Sequence, residues 1–198
     1  MMKEDAARSM LSKVVEIIAP RLCNRTYGFK DDDYGILKVS MMIAAIDGKV
    51  LEREIATLRR LARRCVGWTE ESCAAALKDA LHSAGYILLQ SGRLKEKALI
   101  AEFVEEAKRV LPDSFAKSPK GKIRRAFVMW TAMAMSDLRY SLVERKTLLS
   151  LRKALGLEKI VTDEYLRETV RMFVRLTDES TVTEAASMLK TFIAVAED

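Results

Sequence analysis

Met42-Ile43-Ala44-Ala45-Ile46-Asp47-Gly48-Lys49-Val50-Leu51-Glu52-Arg53-Glu54 and Ala132-Met133-Ala134-Met135-Ser136-Asp137-Leu138-Arg139-Tyr140-Ser141-Leu142-Val143-Glu144 are the two stretches that decide the reading of this chain. They align at an offset of 90 residues. In each, an apolar run ends in Asp, a short turn follows, and a Glu stands seven residues after the Asp at the head of another apolar-periodic segment. Downstream, Leu58 and Leu61 match Leu148 and Leu151. A helix, a turn and a second helix, written twice, predict an all-α protein with an internal pseudo-repeat.

Working outward, helical spacing of apolar residues predicts a first helix over 5–23 (Met10, Val14, Ile17, Ile18) and the apolar helix 34–46 behind Asp31-Asp32-Asp33, whose carboxylates suit free backbone amides and the helix dipole. The next segment, about 51–65, places Ile55, Leu58, Leu61 and Cys65 on one side. A helix from Thr69 or Glu70 to about Gln90 is given an apolar stripe of Cys73, Leu77, Leu81, Ala84 and Leu88. Another, 94–111, presents Ala101, Val104, Ala107 and Leu111 and stops at Pro112. Residues 112–121 read as a loop. The helix from about Pro119 or Gly121 to Ser136 is predicted to bury Ile123, Phe127, Trp130, Ala134 and Met135, and the helix 142–155 to stop at Gly156. Helices over about 163–176 and 182–196 complete a set of about nine. The last carries Val182, Ala185, Ala186, Leu189, Phe192, Ile193 and Ala196 on one face, so it docks on something.

Composition agrees with this reading. Of 198 residues, 49% are apolar and 31% charged, the balance of a globular chain, and eight Gly with three Pro are few for a strand-and-turn protein. The longest nearly unbroken apolar run, 126–135, is about half of a membrane-spanning helix, and the start Met1-Met2-Lys3-Glu4-Asp5 has no secretory-signal pattern, so a cytoplasmic location is expected. Cys23, Cys65 and Cys73 lack metal-ligand spacing and read as reduced core residues. With His82 the one histidine, His-rich zinc sites and a His-based triad are disfavoured, and oxygen ligands are left as the main route to a metal. The ten methionines, among them Met41, Met42, Met129, Met133 and Met135, sit in the most apolar segments and read as core, as does Trp130.

The doubled motif resembles the TerB family, the tellurite-resistance proteins and their relatives, over about residues 34–158. Asp47-Gly48 with Glu52 and Glu54 fits the first family segment, and Asp137 with Glu144, followed by Leu148, Leu149, Ala154, Leu155, Gly156 and Leu157, fits the second. Leu138 departs from the pattern where glycine is usual, and Leu142 where an acid is. The resemblance implies a TerB-like helical domain over 34–158, and the apolar patterning on either side of it predicts an N-terminal helix and loop (1–33) and a C-terminal helical pair (159–198) packed on it. It also implies divalent-metal binding and a stress-associated, tellurite-resistance-like role.

Two readings of the acids stand side by side. Should the repeats pack about a pseudo-twofold axis, Asp47, Glu54, Asp137 and Glu144, with Glu52 nearby, converge on a hard cation such as calcium or magnesium. Alternatively they cap helices. Ser141-Leu142-Val143-Glu144 has the spacing of a capping box, whereas Leu51 stands at the matching cap position before Glu54 and offers no side-chain oxygen.

Charge is uneven, with 24 basic against 14 acidic residues over 34–159 and four against eight over 160–198. Arg59, Arg60, Arg63 and Arg64 form one basic group, and Lys117, Lys120, Lys122, Arg124 and Arg125 another. Each reads as a solvated face or as the contact for an acidic protein, an anionic membrane surface or, least of all, nucleic acid, since no aromatic interleaving or nucleic-acid motif accompanies it. The expectation is a non-enzymatic binding or scaffold module whose partner is another protein, with homodimerisation open. A basic helical regulator is the alternative. A carboxylate-metal hydrolase ranks lower, because no general base, nucleophile or phosphate loop is evident.

Overall fold

The computed structural model describes residues 31–64, 70–135 and 140–178, and these residues form seven α-helices, a 3₁₀ turn at Phe115–Lys117 and no strand. The helices are α1 (Asp31–Ala45), α2 (Glu52–Arg64), α3 (Glu70–Ser91), α4 (Glu96–Val110), α5 (Lys120–Ala134), α6 (Leu142–Ala154) and α7 (Asp163–Asp178). Each matches a segment expected from periodicity to within a few residues. The segments 5–23 and 182–196 lie outside the described residues, as do Cys23, Cys65, Asp137 and Leu138.

Helices α1 and α5 form the centre. From Ile36 to Ile46 only Lys38 escapes burial in α1 and the turn after it, and every residue from Ala126 to Met135 is buried in and just beyond α5. These are the apolar runs that open the two quoted stretches. A helix apolar on all sides must be wrapped by others. Accordingly α3 lies along α1, α2 contacts both, α4 and α6 pack on each other, and α7 lies on α5. The indole Nε1–H of Trp130 donates to the Ile36 carbonyl at 3.1 Å, and the same carbonyl accepts from Ser40 Oγ at 2.8 Å. Phe127 and Phe115 pack on the Trp130 ring at centroid distances of 4.8 and 5.7 Å. The methionines named above, Met41, Met42, Met129, Met133 and Met135, are all buried there, as expected.

The burial of α3 differs from the expected stripe. Leu81 and Leu88 are 39% and 36% exposed, and the face turned inward is Ala76, Ala80, Ser83, Ala84 and Ile87. Small residues on that face let the α3 backbone approach α1 closely, and the bulky leucines, which dominate a hydrophobicity pattern, are left outside. In α4, Ala101 is exposed, whereas Leu99, Ile100 and Phe103 join Val104, Ala107 and Leu111 in the interior. Close approach also fixes Gly35, where a Cβ would stand 2.7 Å from the Val110 carbonyl oxygen.

The helix ends follow local chemistry. Gly156 has φ of +66°, and the bonds Leu157 N–H to Arg152 O and Gly156 N–H to Lys153 O, both 3.0 Å, close α6 in a Schellman motif. Thr162 Oγ1 accepts from the Tyr165 N–H at 3.1 Å and caps α7. No helix among the described residues is long and apolar enough to cross a membrane.

Candidate functional site

The carboxylates of the two aligned stretches are placed by the turns that start α2 and α6. Asp47 is at the surface, where its Oδ1 accepts from the Lys49 N–H at 3.2 Å and its Oδ2 lies 3.4 Å from Lys49 Nζ. Gly48, at φ +90°, supplies the left-handed residue that this turn needs. Glu54 is 3% exposed, and its Oε2 accepts from the Leu51 N–H at 2.7 Å. Glu144 is 7% exposed, and its Oε2 accepts from the Ser141 N–H at 2.7 Å, while Ser141 Oγ accepts from the Glu144 N–H at 3.3 Å.

The expected capping box at Ser141 is therefore present in full. Although Leu51 offers no side-chain oxygen, Glu54 makes the reciprocal half of a capping box, which needs only a backbone N–H at the cap position. Glu52 is exposed on the first turn of α2. Among the described residues, no three His, Cys, Asp or Glu side chains come together as a metal-holding group.

The basic groups divide. Arg59, Lys117 and Lys120 are exposed, Lys122 and Arg125 are half-buried, and the side chains of Arg60, Arg63 and Arg64 lie outside the described residues. Arg124 faces inward. Its Nε–H donates to the Ile160 carbonyl at 3.0 Å, its guanidinium carbon stands 5.3 Å from the Tyr165 ring centroid, and Tyr165 Oη donates back to the Arg124 carbonyl at 3.3 Å. Arg124 thus fastens α7 to α5, and the run 117–125 is not one continuous cationic surface. Burial pushes the Tyr165 phenol up, against the pull of Arg124 and Arg125.

Two clefts flank α6, and sequence reasoning did not single them out. The larger, about 660 Å³, lies between α4 and α6; Ile100 and Val104 line it with Leu149, and Glu96, Lys97, Glu105 and Lys146 stand around them. Lys146 Nζ reaches Glu96 Oε1 at 2.6 Å and ties the two helices at the surface. The smaller, about 320 Å³, lies between α6 and α7, lined by Tyr140, Leu149, Leu166 and Val170 with Arg145, Asp163, Arg167 and Arg171. Burial, reinforced by Glu144 and opposed by Arg145, pushes the Tyr140 phenol up to about 12. Leu149 borders both clefts. The available signal was the pair Leu148-Leu149: Leu148 is fully buried, so its neighbour must point to a different side of α6.

Compared with known proteins, the chain matches no family model, no curated protein and no solved structure.

Proposed function

We propose that this chain is a non-catalytic helical binding module, TerB-like in its doubled turn motif, whose protein partner lays an amphipathic helix into the cleft between α4 and α6. The observation that carries this reading is the cleft itself: about 660 Å³, with Ile100, Val104 and Leu149 in its lining and charges of both signs around them. Parallel ridges of two packed helices with an apolar seam are the setting in which a third helix is bound through i, i+3, i+4 anchors. The test replaces exposed Ala101 in the cleft with a photo-crosslinking residue in living cells and maps the crosslinked peptide. An amphipathic helix of a second protein supports the reading; labelling of lipid or nucleic acid instead favours the basic-regulator alternative.

The divalent-metal and stress-associated role implied by the resemblance is a separate proposal, resting on Asp47, Glu52, Glu54, Asp137 and Glu144. Calorimetric titration of calcium, magnesium and manganese into chelator-treated protein, beside the double variant Asp47→Asn, Glu54→Gln, tests it. Heat that the double variant abolishes supports a site. Silence in the wild type leaves Glu54 and Glu144 with their capping bonds alone.

A further inference from the structure

The cleft between α6 and α7 joins an apolar floor to a cation that no described residue pairs. Leu149 of α6, Leu166 and Val170, one turn apart on α7, and the Tyr140 ring supply the apolar surface. Of the charged groups around them, Arg167 and Arg171 are held along α7 by Glu164 and Glu168, and Asp163 is held by Arg152 at 2.5 Å. Arg145 is exposed, and its guanidinium makes no hydrogen bond or ion pair with the described residues. Four guanidiniums thus meet three carboxylates, and the charge left over is that of Arg145. Near it, the Tyr140 hydroxyl keeps its proton at neutral pH and donates to none of the described residues, so it is a donor on offer. Glu144, close by, is 7% exposed, turns its Oε2 to the Ser141 N–H and stands outside the lining.

One uncompensated positive charge beside an apolar floor suits a ligand with one negative charge and an apolar body. A guanidinium presents paired N–H donors that match the two oxygens of a carboxylate. The volume, about 320 Å³, lies at the lower end of small-molecule clefts and is about half that of the cleft between α4 and α6, which favours a small molecule over a helix. We propose that the α6–α7 cleft binds a small monocarboxylic acid with an aliphatic body, its carboxylate on Arg145 and the Tyr140 hydroxyl, its chain on Leu149, Leu166 and Val170. A doubly charged ligand would bring a second negative charge that Arg145 alone does not balance, and a neutral one would leave Arg145 unused. This site stands or falls separately from the partner reading, because none of its binding groups needs a helix seated between α4 and α6.

The test titrates octanoate, octanol and acetate into the full chain carrying labelled Leu and Val methyl groups, and follows the methyl resonances by NMR. Octanoate is expected to bind saturably and to shift the methyls of Leu149, Leu166 and Val170, with octanol about tenfold weaker and acetate silent. Arg145→Gln, at an exposed side chain, is expected to weaken octanoate about tenfold and to leave octanol unchanged, whereas Val170→Asp weakens both; melting curves verify that each variant folds. Lys117→Gln, at an exposed cation outside the cleft, is expected to change neither. Absence of saturable octanoate binding in the millimolar range, equal affinity for octanoate and octanol, shifts confined to other methyls, or an equal loss in Arg145→Gln and Lys117→Gln would each overturn the proposal.

Discussion

Glu54 and Glu144 occupy the same place at the start of two helices 90 residues apart: each is buried, and each sets Oε2 2.7 Å from the backbone N–H three residues before it. The common geometry gives both acids a structural task. Removing either carboxylate leaves an N–H in a part-buried turn without this acceptor, which costs on the order of 1 to 3 kcal/mol. Glu54→Ala and Glu144→Ala are therefore expected to lower the urea midpoint without changing the slope. Glu52→Ala, on the exposed side of the same first turn, is expected to change stability by less than about 0.5 kcal/mol.

Trp130 links the two central helices through its hydrogen bond to Ile36, and Phe fills most of the same space without the donor. Trp130→Phe is expected to cost about 1 to 3 kcal/mol, from the lost hydrogen bond to the Ile36 carbonyl and the lost ring area. Ser40 continues to donate to that carbonyl and places the effect toward the lower end. Thermal unfolding followed by circular dichroism gives the comparison, with about 2 to 4 °C expected per kcal/mol in a chain of this size.

The partly buried phenols set an alkaline limit. Tyr140, held at about 12, and Tyr165, also raised, keep their protons in the folded state after the unfolded chain has lost them near pH 10. The unfolded state then binds fewer protons, so stability falls as pH rises from about 10 toward 12, by up to about 1.4 kcal/mol per pH unit for each phenol. Below pH 10 neither contributes a slope. Tyr140→Phe is expected to flatten the decline between pH 10 and 12, read from urea midpoints alongside tyrosinate absorbance.

Arg124 and its neighbours separate the structural from the available cations. Arg124→Ala removes the bond to Ile160 and the stacking on Tyr165, with an expected loss of about 1 to 3 kcal/mol and no change in retention on an anionic column. Lys117→Glu with Lys120→Glu reverses two exposed charges and is expected to reduce that retention while leaving the melting temperature within about 2 °C.

How far the sequence foretold these features depends on the range of each interaction. The box at Ser141 and Glu144, the stop at Gly156 and the burial of Phe127, Trp130 and Met135 rest on contacts within one turn or on unbroken apolarity, and such signals are local. Glu54 escaped because its partner is the backbone of Leu51, which no side-chain pattern reports. Leu81 and Leu88 misled because hydrophobicity weights size, whereas the close packing of α3 on α1 selects Ala76, Ala80 and Ala84. The inward turn of Arg124 depends on Ile160 and Tyr165, 36 and 41 residues away, and the two clefts exist only once α4, α6 and α7 are assembled. The metal and partner readings depend on groups brought together, or supplied, from still further away.

The binding reading is tested most directly by synthesising the partner helix captured from position 101 as a labelled peptide and measuring its affinity by fluorescence anisotropy. The wild-type chain is compared with Val104→Asp and Leu149→Asp, and melting curves verify folding of each. A charge placed in the apolar lining is expected to weaken the peptide at least tenfold in both variants, while Lys117→Glu with Lys120→Glu leaves its affinity within about twofold at moderate salt. Equal affinity in the folded cleft variants, or a loss confined to the lysine variant, would contradict a helix seated between α4 and α6.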